Sequence, residues 1–183
     1  VGLAKKQEIN AWSGPFIMAN ANTRVVRRTA ALLNLRQESY GANFTYQEHA
    51  FHKSWWSAFK SIIITGISVL ILMSPLKKAV KPFLPKPGEG PSEDVQENGW
   101  FDCKYLVEAE DGEKSVFNMH ATGDPGYKVT SKLVSECALC LVNDFDDLPG
   151  GEGYGGVLTS ASGLGDVLIK RLRNAGISFE GPL

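Results

Sequence analysis

One apolar run constrains this chain more than any other feature. Residues 61 to 73 read SIIITGISVLILM, thirteen uncharged positions in succession. The run alone is too short to span a bilayer, because about 20 apolar residues are needed to cross roughly 30 Å of hydrocarbon. Counted from Trp55 to Leu76, the segment is long enough, provided that its one charge, Lys60, extends to the interface. The run therefore predicts a membrane-associated helix or, as the alternative, the buried helix of a soluble protein.

The residues on either side of the run favour the membrane. Tryptophans precede the run and lysines follow it, which is typical of the two interfaces of a bilayer, and Pro75 permits either a spanning or an interface-lying helix. The predicted anchor residues are Trp55, Trp56, Ile62, Ile63, Ile64, Ile67, Leu70, Ile71, Leu72 and Met73. The predicted contacts to lipid headgroups or to an acidic partner are Arg24, Arg27, Arg28, Lys77, Lys78 and Lys81.

The net charge of -1 conceals two halves of opposite sign. Residues 1 to 90 contain 12 Lys and Arg against 4 Asp and Glu, whereas residues 91 to 183 contain 7 against 16. A basic half around an apolar run favours anionic lipid or an acidic partner. Nucleic acid is not expected as a partner, since the basic residues lack aromatic interleaving and no recognition-helix pattern is present.

Composition divides the chain into four predicted segments. These are a basic segment (1–53), the apolar helix (54–80), a Pro/Gly linker (81–94) and an acidic α+β domain (95–183). Within the basic segment the sequence predicts an amphipathic helix that Asn22 or Thr23 can cap and a short strand within 43–51. In the last segment two strands flank an Asp111-Gly112 turn, which predicts a β-hairpin. Two helices, the first capped by Thr130 or Ser131, and a short terminal strand complete an α+β fold.

The polar residues predict no catalytic group, no cofactor-binding residue and no metal ligand. Cys137 and Cys140 have redox-motif spacing but fit the apolar face of a helix. The glycines between 150 and 156 lack the strand and helix of a dinucleotide fingerprint. His120 lies in a predicted strand, where a hydrogen-bonded structural role is commoner than that of a base.

Several segments, taken in order, are similar to one enzyme family. GPFIMANANTRVVRRTAALL, GPSEDVQENGWF, ATGDPGYKVTSKLVSECALCL and GGVLTSASGLGDVLIKRLRNAGISFE resemble the C-terminal half of saccharopine dehydrogenase-like oxidoreductases, which include trans-acting enoyl reductases. The resemblance covers nearly the whole chain and implies a hydrophobic, membrane-associating segment where the apolar run stands. It also suggests a vestigial substrate pocket formed by Gly123, Asp124, Pro125, Gly126, Tyr127 and Thr130.

The resemblance also implies a feature that these residues lack. Family members hold the dinucleotide in an N-terminal Rossmann domain, and the chain, which starts at Val1 in place of Met, has no such domain. The expected function is therefore that of a non-catalytic accessory subunit of a larger membrane complex. No cofactor is expected from the chain alone, and a lipid or pigment only through partners.

Two alternatives stay open. The chain is the C-terminal part of an NAD(P)-dependent oxidoreductase whose nucleotide domain is absent from it, or it is a lipid-binding module. The expected partners are membrane lipid and other subunits of a membrane complex. The expected location is a membrane, with the plastid thylakoid and the mitochondrial inner membrane as the organellar candidates.

Overall fold

The structure is a computed structural model that describes residues 3–84, 86 and 88–182. Positions 1, 2, 85, 87 and 183, which fall in the first, third and fourth predicted segments, lie outside the described residues. The chain divides into two compact units, one of residues 1–30 and 40–89 and one of residues 31–39 and 90–183.

The fold is α+β, as the sequence predicts. Its described residues form six α-helices and two three-stranded antiparallel sheets. The strands are β1 (Ala4–Lys6), β2 (Ala11–Gly14), β3 (Ala50–His52), β4 (Trp100–Glu108), β5 (Lys114–Thr122) and β6 (Ser178–Glu180). The helices are α1 (Ala19–Leu35), α2 (Trp55–Met73), α3 (Lys77–Val80), α4 (Glu93–Asn98), α5 (Lys128–Asn143) and α6 (Ser160–Asn174), with short 3-10 turns at Lys81–Phe83 and Phe145–Asp147.

The first unit contains a small sheet and the apolar helix. Its strands are ordered β1-β2-β3, and neither β1 nor β2 is predicted from the sequence. The strand predicted within 43–51 is wrong except at its end, because regular pairing starts only at Ala50. Asn22 does not cap α1, which begins at Ala19; its amide instead donates to Glu48 Oε2 at 2.9 Å.

Helix α2 is mostly uncovered by the described residues. Ser54 caps its start by accepting a hydrogen bond from the backbone N–H of Ser57, and Ala58 is fully buried. Toward the other end Leu70 is 69% and Met73 82% exposed. By length and composition alone, α2 is the one helix in the described part of the chain that could cross a membrane, and core helices of soluble proteins pass the same criterion.

The second unit has a contiguous apolar core. Sheet β4-β5-β6 places Ala121 against Val129 of α5, Leu172 of α6 and Ile177, all nearly inaccessible to solvent. The sequence pattern of α5 predicts a buried face that contains Leu133, Val134, Cys137 and Leu141, and this prediction is partly wrong because Val134 and Leu141 are exposed. The helix starts at Lys128, earlier than predicted, and its buried residues are Val129 and Cys140.

The segment predicted as an irregular linker contains ordered turns at both ends. The 3-10 turn Lys81–Phe83 lies at its start, and α4 begins within it at Glu93. Ser92 caps α4 by accepting from the N–H of Val95, so a serine in a proline-rich stretch starts the second unit's first helix.

Candidate functional site

The predicted pocket motif forms the turn between β5 and α5. Asp124 organises this turn: its Oδ2 accepts from the N–H of Tyr127 at 2.6 Å, and its carbonyl oxygen accepts from the N–H of Val129 at 3.0 Å. The hydroxyl of Thr130 donates to the carbonyl of Pro125 at 2.5 Å, so it does not cap α5 as predicted. These bonds give the motif a structural role, and its contact with a substrate stays a prediction.

Gly123 shows why a glycine precedes that aspartate. Its φ is 111°, in the left-handed region, and a Cβ there would lie 3.2 Å from Cγ2 of Val129. Its N–H donates to the carbonyl of Gly99, and the N–H of Asp124 donates to the carbonyl of Gln96 at 3.0 Å. The motif is thereby tied to the end of α4.

An open groove of about 430 Å³ lies beside this junction. Its lining residues come from the end of α4 and from the open end of the hairpin, where β4 begins and β5 ends, namely Asn98, Trp100, Asp102, His120 and Thr122. In the β4–β5 register Trp100 is opposite Thr122 and Asp102 is opposite His120. Because side chains alternate along a strand, these four residues share one face of the hairpin.

A histidine–aspartate pair lies in the groove. The distance between His120 Nδ1 and Asp102 Oδ1 is 2.6 Å, and both side chains are about two fifths exposed. The Trp100 ring stacks beside the imidazole, with centroids 6.3 Å apart and an angle of 26° between the planes. The carboxylate at Nδ1 favours a proton on that nitrogen, so Nε2 is an acceptor in the neutral ring and a donor only in the doubly protonated ring.

The sequence predicts no function for this group. Its pattern indicates a structural role for His120 and does not single out Asp102 or Trp100. The alternation of side chains along both hairpin strands would predict the pair if the strands were aligned in the correct register.

A second cluster joins α5 to α6. Arg171 donates to Glu136 at 2.8 Å and to Asp144 at 2.9 Å, and the hydrogen bond with Glu136 is the main reason that the pKa of Arg171 is raised. Burial raises the pKa of the nearby thiols Cys137 and Cys140, which suits inert packed cysteines. Among residues 3–84, 86 and 88–182, no three His, Cys, Asp or Glu side chains are arranged to hold a metal ion.

The predicted anchor and headgroup residues lie in the first unit. Trp55 stacks on Phe59 with ring centroids 5.2 Å apart, and Trp56 meets Trp55 edge-on. The arginines are exposed on α1, and the lysines are exposed in the two short helical turns after α2. The structure does not test whether either group contacts a headgroup.

The chain is related to proteins named for one enzymatic activity. A Mycobacterium tuberculosis protein named as a candidate trans-acting enoyl reductase is 37% identical over 178 residues, covering 92% of this chain and 41% of that protein. Proteins named trans-acting enoyl reductase from Mycobacterium leprae and Mycobacterium ulcerans are 32% and 30% identical over 174 residues, covering 91% of this chain and 40% of each relative. The chain thus spans about two fifths of the length of the curated relatives it matches. No family model and no solved structure matches it.

These relatives correct the functional prediction. A non-catalytic accessory subunit of an organellar membrane complex is wrong, because the relatives are named for an enzymatic activity and their names indicate no membrane complex or organelle. The prediction took the lack of a nucleotide domain within 183 residues as loss of activity. A match to two fifths of a longer enzyme explains that lack without any loss.

Proposed function

We propose that this chain is part of an NAD(P)-dependent oxidoreductase that reduces an enoyl group, a carbon–carbon double bond conjugated to a carbonyl. The observation that carries the proposal is the 37% identity, over 92% of the chain, to a protein named for that activity. We assign the chain to the C-terminal half of a saccharopine dehydrogenase-like enzyme. The order of its four motif segments, ending with the residues from Gly156 to Phe179, supports this finer assignment.

The described residues do not fit a dinucleotide. Such a cofactor needs a glycine-rich turn between a parallel strand and a helix, so that the pyrophosphate meets the N-terminus of the helix. Here both sheets are antiparallel, and the glycines from 150 to 156 follow a 3-10 turn rather than a strand. The proposal therefore places the dinucleotide on a part of the enzyme outside these 183 residues and gives this chain a role in binding substrate.

Cofactor binding by two forms of the protein tests the proposal. We expect the longer protein that contains this chain to bind NADH or NADPH and to oxidise it when an enoyl thioester is added. We expect the 183-residue chain alone to bind neither nucleotide, as followed by nucleotide fluorescence. A longer protein that oxidises neither nucleotide with enoyl substrates, or tight nucleotide binding by the short chain, would overturn the assignment.

Contact with membrane lipid and a membrane location stay predictions. The exposed apolar surface of α2 and the acid-free stretch from His49 to Gly88, which contains six lysines, are compatible with lipid. The length and composition of a single helix do not establish such a contact.

A further inference from the structure

The groove occupies the face of the hairpin that the core does not use. Ala121, opposite Phe101, is buried against the helices of the second unit, and the residues on either side of Ala121 in β5 point the other way. Trp100, 64% exposed, therefore lies on a face that needs no tryptophan for stability. An exposed tryptophan offers a ligand both a flat apolar surface and the N–H of its indole.

The Asp102–His120 pair is arranged to direct one nitrogen toward a ligand. The short contact at Nδ1 fixes the ring, and in the described part of the chain no side chain lies within hydrogen-bonding distance of Nε2. With both ring nitrogens protonated, an imidazole oriented in this way donates a hydrogen bond from Nε2–H to an oxygen that approaches the groove. Asp102 acts through His120 and is a positioning residue.

The same hairpin contains a second cross-strand ion pair, at its turn end. Glu108 and Lys114 face each other next to the turn at 3.4 Å, and both side chains are at least half exposed. This pair does not line the groove. The comparison separates an ordinary cross-strand ion pair from one placed between an aromatic wall and the polar groups of Asn98 and Thr122.

We propose that this groove is the substrate subsite for the conjugated acyl group, an inference that rests on the proposed function. The Trp100 ring packs against the planar enoyl unit, and the doubly protonated imidazole of His120, held by Asp102, donates its Nε2–H to the acyl carbonyl oxygen. An aromatic wall and one oriented donor match a flat, polarised C=C–C=O group better than a saturated chain, which is neither flat nor conjugated. The site needs no dinucleotide to bind this ligand.

The test is binding of crotonyl-pantetheine to the 183-residue chain in the absence of nucleotide. The protein contains 5-fluorotryptophan, and the variant Trp100→Phe assigns the fluorine signal of Trp100. We expect that signal to shift on titration and the affinity to fall about tenfold in His120→Gln and in Asp102→Asn. Butyryl-pantetheine, the saturated counterpart, is expected to bind at least about fivefold more weakly.

Two controls isolate the role of each residue. Glu108→Gln removes a charge from the other cross-strand pair of the hairpin and is expected to change the affinity less than twofold. In Asp102→Asn the carboxylate that holds the doubly protonated ring is lost, so the ring ¹⁵N shifts of His120 are expected to move toward those of a neutral ring. A purely structural pair would also show that change, but only a positioning residue would couple it to weaker binding.

The outcomes distinguish this inference from the proposed function. An unchanged Trp100 signal with saturating crotonyl-pantetheine, or equal affinity in His120→Gln, overturns the subsite even if the longer protein proves to be a reductase. A shifted signal with the expected losses supports the subsite even if the longer protein oxidises no nucleotide.

Discussion

The two units of this protein use apolar residues in opposite ways. The second unit buries Val129, Leu172 and Ile177 in one contiguous core. The buried positions of the first unit are small or polar, such as Ser13, Thr29 and Ala58, while the large side chains of α2 face outward. Apolar content therefore does not indicate where a core lies. The amphipathic helices α5 and α6 build one, and the far more apolar α2 does not.

The difference has a physical origin in how apolar residues are spaced. A helix with an apolar stripe buries that stripe against one neighbour and leaves the opposite face in water. Helix α2 is apolar on all sides from Ile62 to Met73, so the short strands β2 and β3 cover only a fraction of it. We propose that lipid or another protein surface covers the part of α2 that its own unit leaves exposed.

The same substitution, leucine to alanine, made once in each unit tests this difference, and it has the largest expected effect on stability. Leu172→Ala, at a position 6% exposed, is expected to lower the free energy of unfolding of the second unit by about 2–5 kcal/mol. Leu70→Ala, at a position 69% exposed, is expected to change stability by less than about 0.5 kcal/mol. Urea unfolding followed by NMR signals of each unit measures both. Similar losses for the two variants would show that α2 is packed as a core helix.

The next largest effect is expected for membrane binding. If lipid covers α2, the lysines that follow the helix contribute to that binding. Replacing Lys77, Lys78 and Lys81 by Gln is expected to weaken binding to phosphatidylserine vesicles by about 3 kcal/mol at low salt, since each lysine near a charged surface contributes about 1 kcal/mol. Lys104→Gln, Lys114→Gln and Lys170→Gln in the second unit, which also remove three charges, are together the matched control. Loss of binding only in the control, or no binding by the parent protein, would assign α2 a protein cover instead.

Two glycine-to-alanine changes are expected to have opposite signs. Gly165 in α6 has a φ of 49° and a ψ of -135°, and a Cβ there would lie 3.2 Å from Pro149, so Gly165→Ala is expected to destabilise by about 1–3 kcal/mol. Gly66 in α2 has open space around it, and Gly66→Ala is expected to stabilise the helix by about 0.5–1 kcal/mol. Thermal unfolding of both variants tests the pair, and a loss of stability in Gly66→Ala would reveal a close neighbour of α2.

The smallest expected effects concern how stability depends on pH. The first unit is affected at low pH and the second unit at high pH. Burial and nearby Lys6 lower the pKa of His49, so protonation favours the unfolded state and the first unit loses stability as the pH falls below the ordinary value of 6.5. Burial raises the pKa of Cys140, so deprotonation favours the unfolded state and the second unit loses stability above 9.0. His49→Gln and Cys140→Ala are expected to flatten the respective limbs in denaturation across pH, and unchanged profiles would contradict these assignments.

The sequence predicts the second unit better than the first. Long periodic segments such as α6 and the hairpin strands are found from spacing and turn residues alone. The strands β1 and β2 are three and four residues long, too short for alternation to distinguish them from loops. Their pairing is a property of tertiary contacts, which no local pattern encodes.

The Asp102–His120 pair is not predicted from the sequence, because the length of the hairpin turn sets the register of the two strands. A two-residue Asp111-Gly112 turn would place Asp102 opposite Ala121, one residue out of register and across two faces. The structure closes the hairpin with a three-residue loop, in which the N–H of Ala109 donates to Glu113 and Gly112 has a φ of 88°. The extra residue aligns Asp102 with His120, and only then do the two side chains form a pair.

Product analysis is the most direct test that this chain belongs to an enoyl reductase. The longer protein is incubated with NADPH or NADH and crotonyl-pantetheine, and the acyl product is identified by mass spectrometry. We predict a saturated product that has gained two hydrogens, formed at least about tenfold more slowly by His120→Gln and at an unchanged rate by Glu108→Gln. Recovery of the crotonyl compound unchanged, under conditions in which the protein is folded and binds the nucleotide, would contradict the assignment.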